Sequence, residues 1–210
     1  MANFKSPQFN SQTHIPLMEM FYSLQGEGFN TGQPAFFIRL AGCNVECSWC
    51  DVKESWNTNE NSIIAIDDIV HEALKHAARF VVITGGEPTL YDLTSLTNKL
   101  KSYNFEIAIE TSGTNTIIGK IDWICLSPKK FKLPLAENYS KANELKLIVV
   151  NNHDFQWALD LQKFVNTNCK LYLQPEWDKR NTLINEIIAF VKCNPRWRIS
   201  LQTHKYLNIP

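Results

Sequence analysis

Short apolar runs alternate with amphipathic segments along this chain, and the alternation predicts a parallel α/β fold. Helices are predicted over 66–78, 90–103, 153–166 and 181–192, and the first shows apolar positions at helical spacing. Strand, loop and helix repeat about six times, which is typical of a parallel sheet with crossover helices. The strands are predicted from apolar runs of strand length over 35–40, 80–83, 106–110, 123–126, 144–150, 170–173 and 197–201.

Polar or glycine-bearing motifs follow the ends of the predicted strands. Ligands of parallel α/β folds bind at the carboxyl ends of the strands, so these motifs predict one site at that edge of the sheet. The motifs are a cysteine loop at 43–50, TGGEP at 84–88, ETSGT at 110–114, SPK at 127–129, QPEW at 174–177 and QTHK at 202–205.

Composition narrows the class of protein. The chain has 210 residues, of which 44 % are hydrophobic, so one domain over 1–210 with a sizeable core is expected. Lys plus Arg equal Asp plus Glu at 21 each, which gives no support for a nucleic-acid partner. Nothing resembles a signal peptide or a membrane span, so we expect a cytoplasmic protein with no membrane partner. Residues 1–16 contain two prolines and are expected to form a loose N-terminal arm.

Cys43, Cys47 and Cys50 lie in the pattern C-x-x-x-C-x-x-C. Thiolates at this spacing select a soft metal centre: zinc, copper(I) or an iron–sulfur cluster. A redox disulfide needs no third cysteine, and a closed zinc site needs a fourth ligand that does not follow at finger spacing. Three ligands leave one iron of a [4Fe–4S] cluster open. The other three cysteines are interpreted as core or incidental residues.

The cysteine pattern, with Trp49 directly before its last member, resembles the signature of radical S-adenosylmethionine (SAM) enzymes. The resemblance implies that Cys43, Cys47 and Cys50 hold a [4Fe–4S] cluster whose open iron binds SAM. It also implies that the reduced cluster cleaves SAM to give a 5′-deoxyadenosyl radical. The fold implied is a partial (β/α) barrel of about six mostly parallel strands with reduced helix content.

The full set of motifs resembles the 7-carboxy-7-deazaguanine synthase family. SLQGEG at 23–28, RLAGCN at 39–44, CSWCD at 47–51 and SLQTHKYLNIP at 200–210 join TGGEP, ETSGT and SPK in this resemblance. It implies conversion of 6-carboxy-5,6,7,8-tetrahydropterin to 7-carboxy-7-deazaguanine with loss of ammonia, in the pathway to queuosine and related deazapurines.

The resemblance also implies roles for individual residues. A carboxypterin needs a forked cation for its carboxylate and rigid donors and acceptors for its amide-like edge. The substrate residues implied are Leu24, Gln25, Gly26, Glu27, Arg39, Thr84, His204 and Pro210, the last through a terminal carboxylate. The SAM residues implied are Trp49, Cys50, Asp51, Gly86, Glu87, Ser127, Pro128, Lys129, Gln174, Pro175, Glu176 and Trp177.

One position departs from the family pattern. Members usually have Thr two residues after the last cluster cysteine, and its hydroxyl binds a magnesium ion. Val52 stands there in this chain and offers no oxygen, whereas magnesium demands oxygen ligands. The ion would be held by substrate and water, by another side chain, or not at all.

The expected partners are the pterin substrate and a reductant such as flavodoxin or ferredoxin. A homodimer is expected because a short chain leaves sheet edges to cover. Two other readings remain open from the residues alone. One is a radical SAM activase that makes a glycyl radical on a partner protein, and the other is a non-catalytic zinc module. The first does not explain SLQGEG or the QTHK tail, and the second does not explain the motifs at the strand ends.

Overall fold

A nine-stranded sheet forms the centre of the protein, seen in a computed structural model that describes residues 8–58 and 63–210. The strand order across the sheet is β3-β1-β2-β4-β5-β6-β7-β8-β9. The strands are β1 (His14–Leu24), β2 (Pro34–Leu40), β3 (Ile63–Ala65), β4 (Phe80–Gly85), β5 (Glu106–Thr111), β6 (Trp123–Leu126), β7 (Glu144–Val149), β8 (Lys170–Pro175) and β9 (Trp197–Ile199).

The strands predicted from the apolar runs are β2 and β4 to β9, and they pair in parallel. Strands β1 and β3 were not predicted, and they extend one edge of the sheet in antiparallel pairing. In the described part of the chain the sheet ends at β3 on one side and β9 on the other, so it is open. The prediction of an α/β fold with a mostly parallel, partial barrel is confirmed.

The N-terminal arm is shorter than predicted. Strand β1 begins at His14, and residues 14–16 pair with β3, so including them in a loose arm was wrong. Ile15 is buried in the core, which gives this segment a reason to join the sheet. Residues 1–7 of the predicted arm, and residues 59–62, lie outside the described residues.

In the residues that the structure describes, six α-helices accompany the sheet, and several differ from their predicted bounds. Helix α2 begins at Thr94, whose N–H donates to the Asp92 side chain in the preceding turn (2.8 Å). The short helices α3 and α6 were not predicted. The helices are α1 (Ile66–Leu74), α2 (Thr94–Ser102), α3 (Ala136–Lys141), α4 (His153–Leu161), α5 (Arg180–Cys193) and α6 (Thr203–Leu207), with 3-10 turns at Lys53–Trp56 and Pro88–Leu90. In the described ranges no helix has the length and apolar character needed to traverse a bilayer.

The two faces of the sheet carry different residues because side chains alternate along a strand. In β2, Phe36 and Ile38 join the large apolar core that includes residues of α1 and α2. Phe37 belongs to a smaller cluster with Val82 and Ala108 on the other, inner face. Arg39 follows Phe37 on this inner face. The carboxyl ends of the strands therefore place polar side chains inside the curved sheet, above a small apolar base.

Candidate active site

Two adjoining cavities lie at the carboxyl ends of the parallel strands. We call the first the cysteine cavity, because Cys43, Cys47 and Cys50 line it, and its volume is about 220 Å³. We call the second the arginine cavity, because Arg39 lines it, and its volume is about 150 Å³. The residues that line both cavities, and so form their common boundary, are Glu27, Asp51, Val52, Thr84, Glu110 and Gln202.

The cysteine loop lies tightly against the glycines that follow β4. Gly86 donates its N–H to the carbonyl of Leu40 (3.0 Å), and Glu87 donates to the carbonyl of Gly42 (2.8 Å). A Cβ on Gly86 would come within 2.1 Å of the Gly42 oxygen, so glycine is required here. The loop is closed on its other side by a bond from the Cys43 N–H to the Trp56 carbonyl (3.1 Å).

Two of the three thiols, those of Cys43 and Cys47, lie in a setting that favours their neutral form. Burial raises the pKa of Cys43, and it raises that of Cys47 to about 11. For Cys47, the nearby ammonium of Lys129 opposes this rise, whereas the other two cysteines add to it. Both thiols line the same cavity, and a cationic metal centre would be needed to keep them as thiolates.

This donor set fits an iron–sulfur cluster better than a single ion. In the described residues no three His, Cys, Asp or Glu side chains converge as one zinc ion would require. A [4Fe–4S] cluster takes one thiolate on each of three separate irons, so its ligands surround a volume and do not meet at a point. The cysteine cavity supplies that volume, and Cys43, Cys47 and Cys50 are the residues that would hold the cluster.

Glu87 links the two glycine-bearing loops beside the cysteine cavity. Its side chain is buried and accepts hydrogen bonds from the Thr89 N–H (3.0 Å), the Ser112 N–H (2.8 Å) and the Thr111 hydroxyl. The carboxylate also accepts the hydroxyl protons of Thr89 and Ser112. Both of its oxygens are thus used by the protein itself, so Glu87 fixes the shape of the cavity wall.

Most of the other predicted SAM residues also line the cysteine cavity or a smaller neighbouring cavity. Lys129 donates to the carbonyl (2.6 Å) and hydroxyl (2.9 Å) of Ser127. Buried Glu176 accepts the N–H groups of Asp178 (3.1 Å) and Lys179 (3.2 Å) at the start of α5. The residues that line the cysteine cavity are Trp49, Cys50, Asp51, Gly86, Glu87, Ser127, Lys129 and Gln174. A smaller neighbouring cavity, of about 50 Å³, is lined by Pro175, Glu176 and Trp177. Pro128 is buried and lines neither.

All eight predicted substrate residues line the arginine cavity: Leu24, Gln25, Gly26, Glu27, Arg39, Thr84, His204 and Pro210. They come from both ends of the chain, so the sheet and the C-terminal segment bring them together. Gly26 permits this approach, since a Cβ on it would lie 2.2 Å from Nδ1 of His204. Its carbonyl accepts the Thr203 N–H (2.9 Å), and the Ser23 hydroxyl donates to the Pro210 carbonyl (3.0 Å).

Arg39 is held by one of its three guanidinium nitrogens. Nε donates to the Glu19 carboxylate at 2.7 Å, and the side chain is 19 % exposed. Among the described residues the two terminal nitrogens have no hydrogen-bond partner, and Arg39 lines the cavity. A guanidinium anchored in this way keeps its fork available for an incoming carboxylate.

A buried ionic network at the boundary of the cavities was missed by the sequence reasoning. Lys146 on β7 is 3 % exposed in its side chain and pairs with Glu27 and with Glu110 (3.4 Å). Gln202 donates to Glu27 (3.0 Å) and to Asp51 (2.7 Å). Although burial acts in the opposite direction, Lys146 and these hydrogen bonds lower the pKa of Glu27 to about 2. Glu27 is therefore an ionised acceptor at neutral pH.

Part of this polar inner face could have been predicted from the sequence. Glu144 and Lys146 are two residues apart in an otherwise apolar strand, so both lie on one face of β7. Charged residues at alternate positions of a buried parallel strand need partners, which indicates a polar inner face. Glu110 likewise ends an apolar run in EIAIE.

The described residues do not fit a protein-bound magnesium ion at the family position. Val52 lines both cavities and supplies no oxygen. The neighbouring carboxylate of Asp51 is already paired with Lys205 at 2.9 Å and accepts from Gln202. No group of three acidic, His or Cys side chains converges as an ion site within the described part of the chain.

Comparisons with known proteins agree with this geometry. Residues 37–157 match the model of the Radical SAM superfamily. The chain is 53 % identical over 196 residues to the 7-carboxy-7-deazaguanine synthase of Flavobacterium psychrophilum, covering 93 % of each chain. It is 45 % identical over 194 residues to the enzyme of that name from Synechocystis, covering 92 % of this chain and 93 % of the relative.

A solved structure supports the same relationship. The crystal structure of QueE from Escherichia coli superposes with a TM-score of 0.79 at 34 % identity, covering 91 % of this chain and 95 % of the other. The resemblance predicted from the strand-end motifs is thereby confirmed. Relatives at 53 % and 45 % identity over nearly the whole chain show that this protein belongs to the 7-carboxy-7-deazaguanine synthase family of radical SAM enzymes.

Proposed function

We propose that this protein converts 6-carboxy-5,6,7,8-tetrahydropterin to 7-carboxy-7-deazaguanine, with release of ammonia. The observation that carries the proposal is the shared boundary of the two cavities. The eight residues expected to bind substrate line the arginine cavity, and three thiols suited to a cluster line the cysteine cavity beside it. When bound, the [4Fe–4S] cluster and SAM supply the radical that removes hydrogen from the pterin.

The arginine cavity offers complementary partners for each end of a carboxypterin. The terminal nitrogens of Arg39 present a fork for the substrate carboxylate. Glu27 is an ionised acceptor for the amino and N–H groups of the pterin edge. Burial lowers the pKa of His204, so its ring is neutral at pH 7 and offers one donor and one acceptor.

The residues between the cavities orient the substrate and exclude water from it. Gln25 donates to Glu110 (2.9 Å), and Lys146 joins Glu110 to Glu27, so these polar groups are fixed before substrate arrives. Groups that are already paired need little reorganisation on binding, which favours one substrate orientation. Thr84 and Val52 touch both cavities and limit the passage between them.

The test is product analysis with anaerobically reconstituted protein. The reaction mixture contains the protein, SAM, a chemical reductant and the carboxypterin. It should yield 7-carboxy-7-deazaguanine and ammonia, and the deazaguanine product is followed by chromatography with mass detection. The matched control replaces the substrate by tetrahydropterin without the 6-carboxylate, which should give no ring-contracted product. A protein that carries the cluster and cleaves SAM, but forms no product from the carboxypterin, would contradict the proposal.

The remaining partners are also proposals. We propose that a protein reductant such as flavodoxin or ferredoxin reduces the cluster. We also propose that the enzyme works in the cytoplasm, together with such a donor. A homodimer is supported by the two sheet edges, at β3 and β9, that end the described sheet. Sedimentation of the purified protein tests the dimer, and turnover with flavodoxin in place of the chemical reductant tests the donor.

A further inference from the structure

A buried carboxylate lies behind the arginine cavity. Glu144, the first residue of β7, is 2 % exposed. Its Oε2 accepts hydrogen bonds from the Phe29 N–H (3.2 Å) and from Nε1 of Trp123 (3.1 Å). The Phe29 ring stacks on Trp123 with centroids 4.7 Å apart. One oxygen of Glu144 therefore fixes the end of the segment 25–29, which we call the substrate loop.

The substrate loop approaches Glu144 more closely than a side chain would allow. Gly28 has φ +67°, and a Cβ on it would lie 2.0 Å from Oε1 of Glu144. The Gly28 N–H donates to the Ser200 hydroxyl (2.9 Å). The loop is thus held from two sides, and the residues fixed at its other end are Gln25 and Glu27, which line the arginine cavity.

The second oxygen of Glu144, Oε1, has no hydrogen-bond partner among the described residues. Glu144 also lines a cavity of about 10 Å³ together with Gln25, Glu27 and Glu110. That volume is about the minimum that holds one water molecule, and the site has the several polar neighbours that a buried water requires.

Ionisable groups from several elements surround Glu144, and Cys169 before β8 is one of them. Others are Glu27 from the substrate loop, Glu110 from β5, Cys125 from β6 and Lys146 from β7. Burial raises the pKa of Glu144, although Lys146 and the two hydrogen bonds oppose the rise. A glutamine at this position keeps an acceptor oxygen for Phe29 and Trp123, so it is the matched conservative replacement.

We propose that Glu144 is a positioning residue for the pterin substrate. One of its oxygens fixes the substrate loop, and the other is linked through one water molecule to the pair formed by Gln25 and Glu110. Glu144 itself lines neither of the two main cavities. The inference rests on the proposed function, because it concerns how the same substrate is held.

The experiment compares Glu144→Ala with Glu144→Gln in the reconstituted enzyme. Glu144→Ala should raise KM for the carboxypterin about tenfold, because it loses the hydrogen bond to Phe29 in the loop and the bond to Trp123, on which the Phe29 ring stacks. Its cluster absorbance and its SAM cleavage without pterin should match the wild type. Hydrogen exchange of peptides covering the substrate loop should become faster, whereas peptides of α4 and α5 should not change. Glu144→Gln should restore both KM and exchange to within about twofold.

Other outcomes overturn the inference. An unchanged KM and unchanged loop exchange in Glu144→Ala would show that Glu144 does not hold the loop. Faster exchange throughout the protein, with loss of SAM cleavage, would show a general structural role. If Glu144→Ala does not fold, Trp123→Phe is the deciding variant. It removes the hydrogen-bond donor that Trp123 offers to Glu144 and keeps an aromatic ring against Phe29. An unchanged KM in that variant overturns the proposal, and a raised KM with normal SAM cleavage supports it.

The two proposals fail in different ways. A wild-type enzyme that gives no product from the carboxypterin counts against the proposed function. The hydrogen-exchange comparison needs no turnover, so it still decides whether Glu144 holds the substrate loop.

Discussion

The ionic network at the boundary of the cavities and the three cysteines differ in how their polar groups are satisfied. In the network the charges are paired within the protein, as Lys146 with Glu27 and Glu110 shows. In the cysteine cavity burial raises the pKa of two of the three thiols, and Cys47 reaches about 11. The network is therefore organised by the folded chain alone, whereas the thiols of Cys43 and Cys47 would need a metal centre to ionise them.

The largest effect is expected from removing one thiol of the cysteine cavity. Cys47→Ala should abolish cluster incorporation and turnover, because one iron loses its ligand. Iron content and visible absorbance after anaerobic reconstitution measure this loss. Cys193→Ala, which changes an exposed cysteine far along the chain on α5, is the matched control and should retain both. A brown, active Cys47→Ala protein would show that the cluster is held elsewhere.

The second largest effect is expected at the boundary of the cavities, from the loss of the lysine of the ionic network. Lys146→Met should lower the free energy of unfolding by about 3 kcal/mol, because two buried carboxylates lose their partner. Urea denaturation of the apoprotein measures it, so a bound cluster does not contribute. Lys163→Met removes an exposed pair with Asp160 and should leave the stability unchanged. Equal stability of Lys146→Met and wild type would mean that the network is not held together by its charges.

The same variant should also change the pH dependence of stability. The pKa of Glu27 is lowered from 4.5 to about 2 in the folded protein, so its stabilising contribution is complete above pH 4.5. That contribution is lost as the pH falls through the window from 4.5 to 2. The difference in unfolding free energy between wild type and Lys146→Met should therefore shrink across this window. A difference that stays constant across it would exclude Glu27 as the partner.

The sequence predicted the parallel strands and the strand-end motifs well, because apolar runs and glycine turns are local signals. It missed β1, whose residues mix polar and apolar types and whose pairing with β3 joins residues as distant as His14 and Ala65. The network of Lys146, Glu110 and Gln202 was missed for a related reason. Its members come from β7, β5 and the C-terminal segment, and only the curvature of the sheet brings them into contact.

A smaller effect is expected at the mouth of the arginine cavity. Arg39→Lys should raise KM for the carboxypterin about tenfold, since an ammonium cannot form the paired fork to a carboxylate. Steady-state kinetics with varied pterin measures the change, and SAM binding should be unaltered. Glu19→Gln keeps the guanidinium but weakens its anchor, so its effect should be smaller. If Arg39→Lys leaves KM unchanged, the substrate carboxylate is bound elsewhere.

The smallest effect is expected at the boundary between the cavities. Turnover of the native enzyme should be nearly independent of magnesium, because Val52 offers no oxygen and Asp51 is already paired. Val52→Thr is close in shape and restores a hydroxyl, so it should bring a measurable magnesium response. Titration of both proteins with magnesium after chelation compares them. Strong magnesium activation of the native enzyme, unchanged in Val52→Thr, would assign the ion to a different ligand.

The contact between β1 and the C-terminal segment has a consequence for the order in which the chain folds during synthesis. The Ser23 hydroxyl meets the Pro210 carbonyl across 187 positions, and Thr203 meets Gly26 across 177. The cysteine loop, in contrast, packs on glycines about forty positions later, near Gly86. Closing a longer segment costs more entropy, and a ribosome releases the N-terminal part first. We therefore expect the cysteine loop of a nascent chain to fold well before the arginine cavity forms.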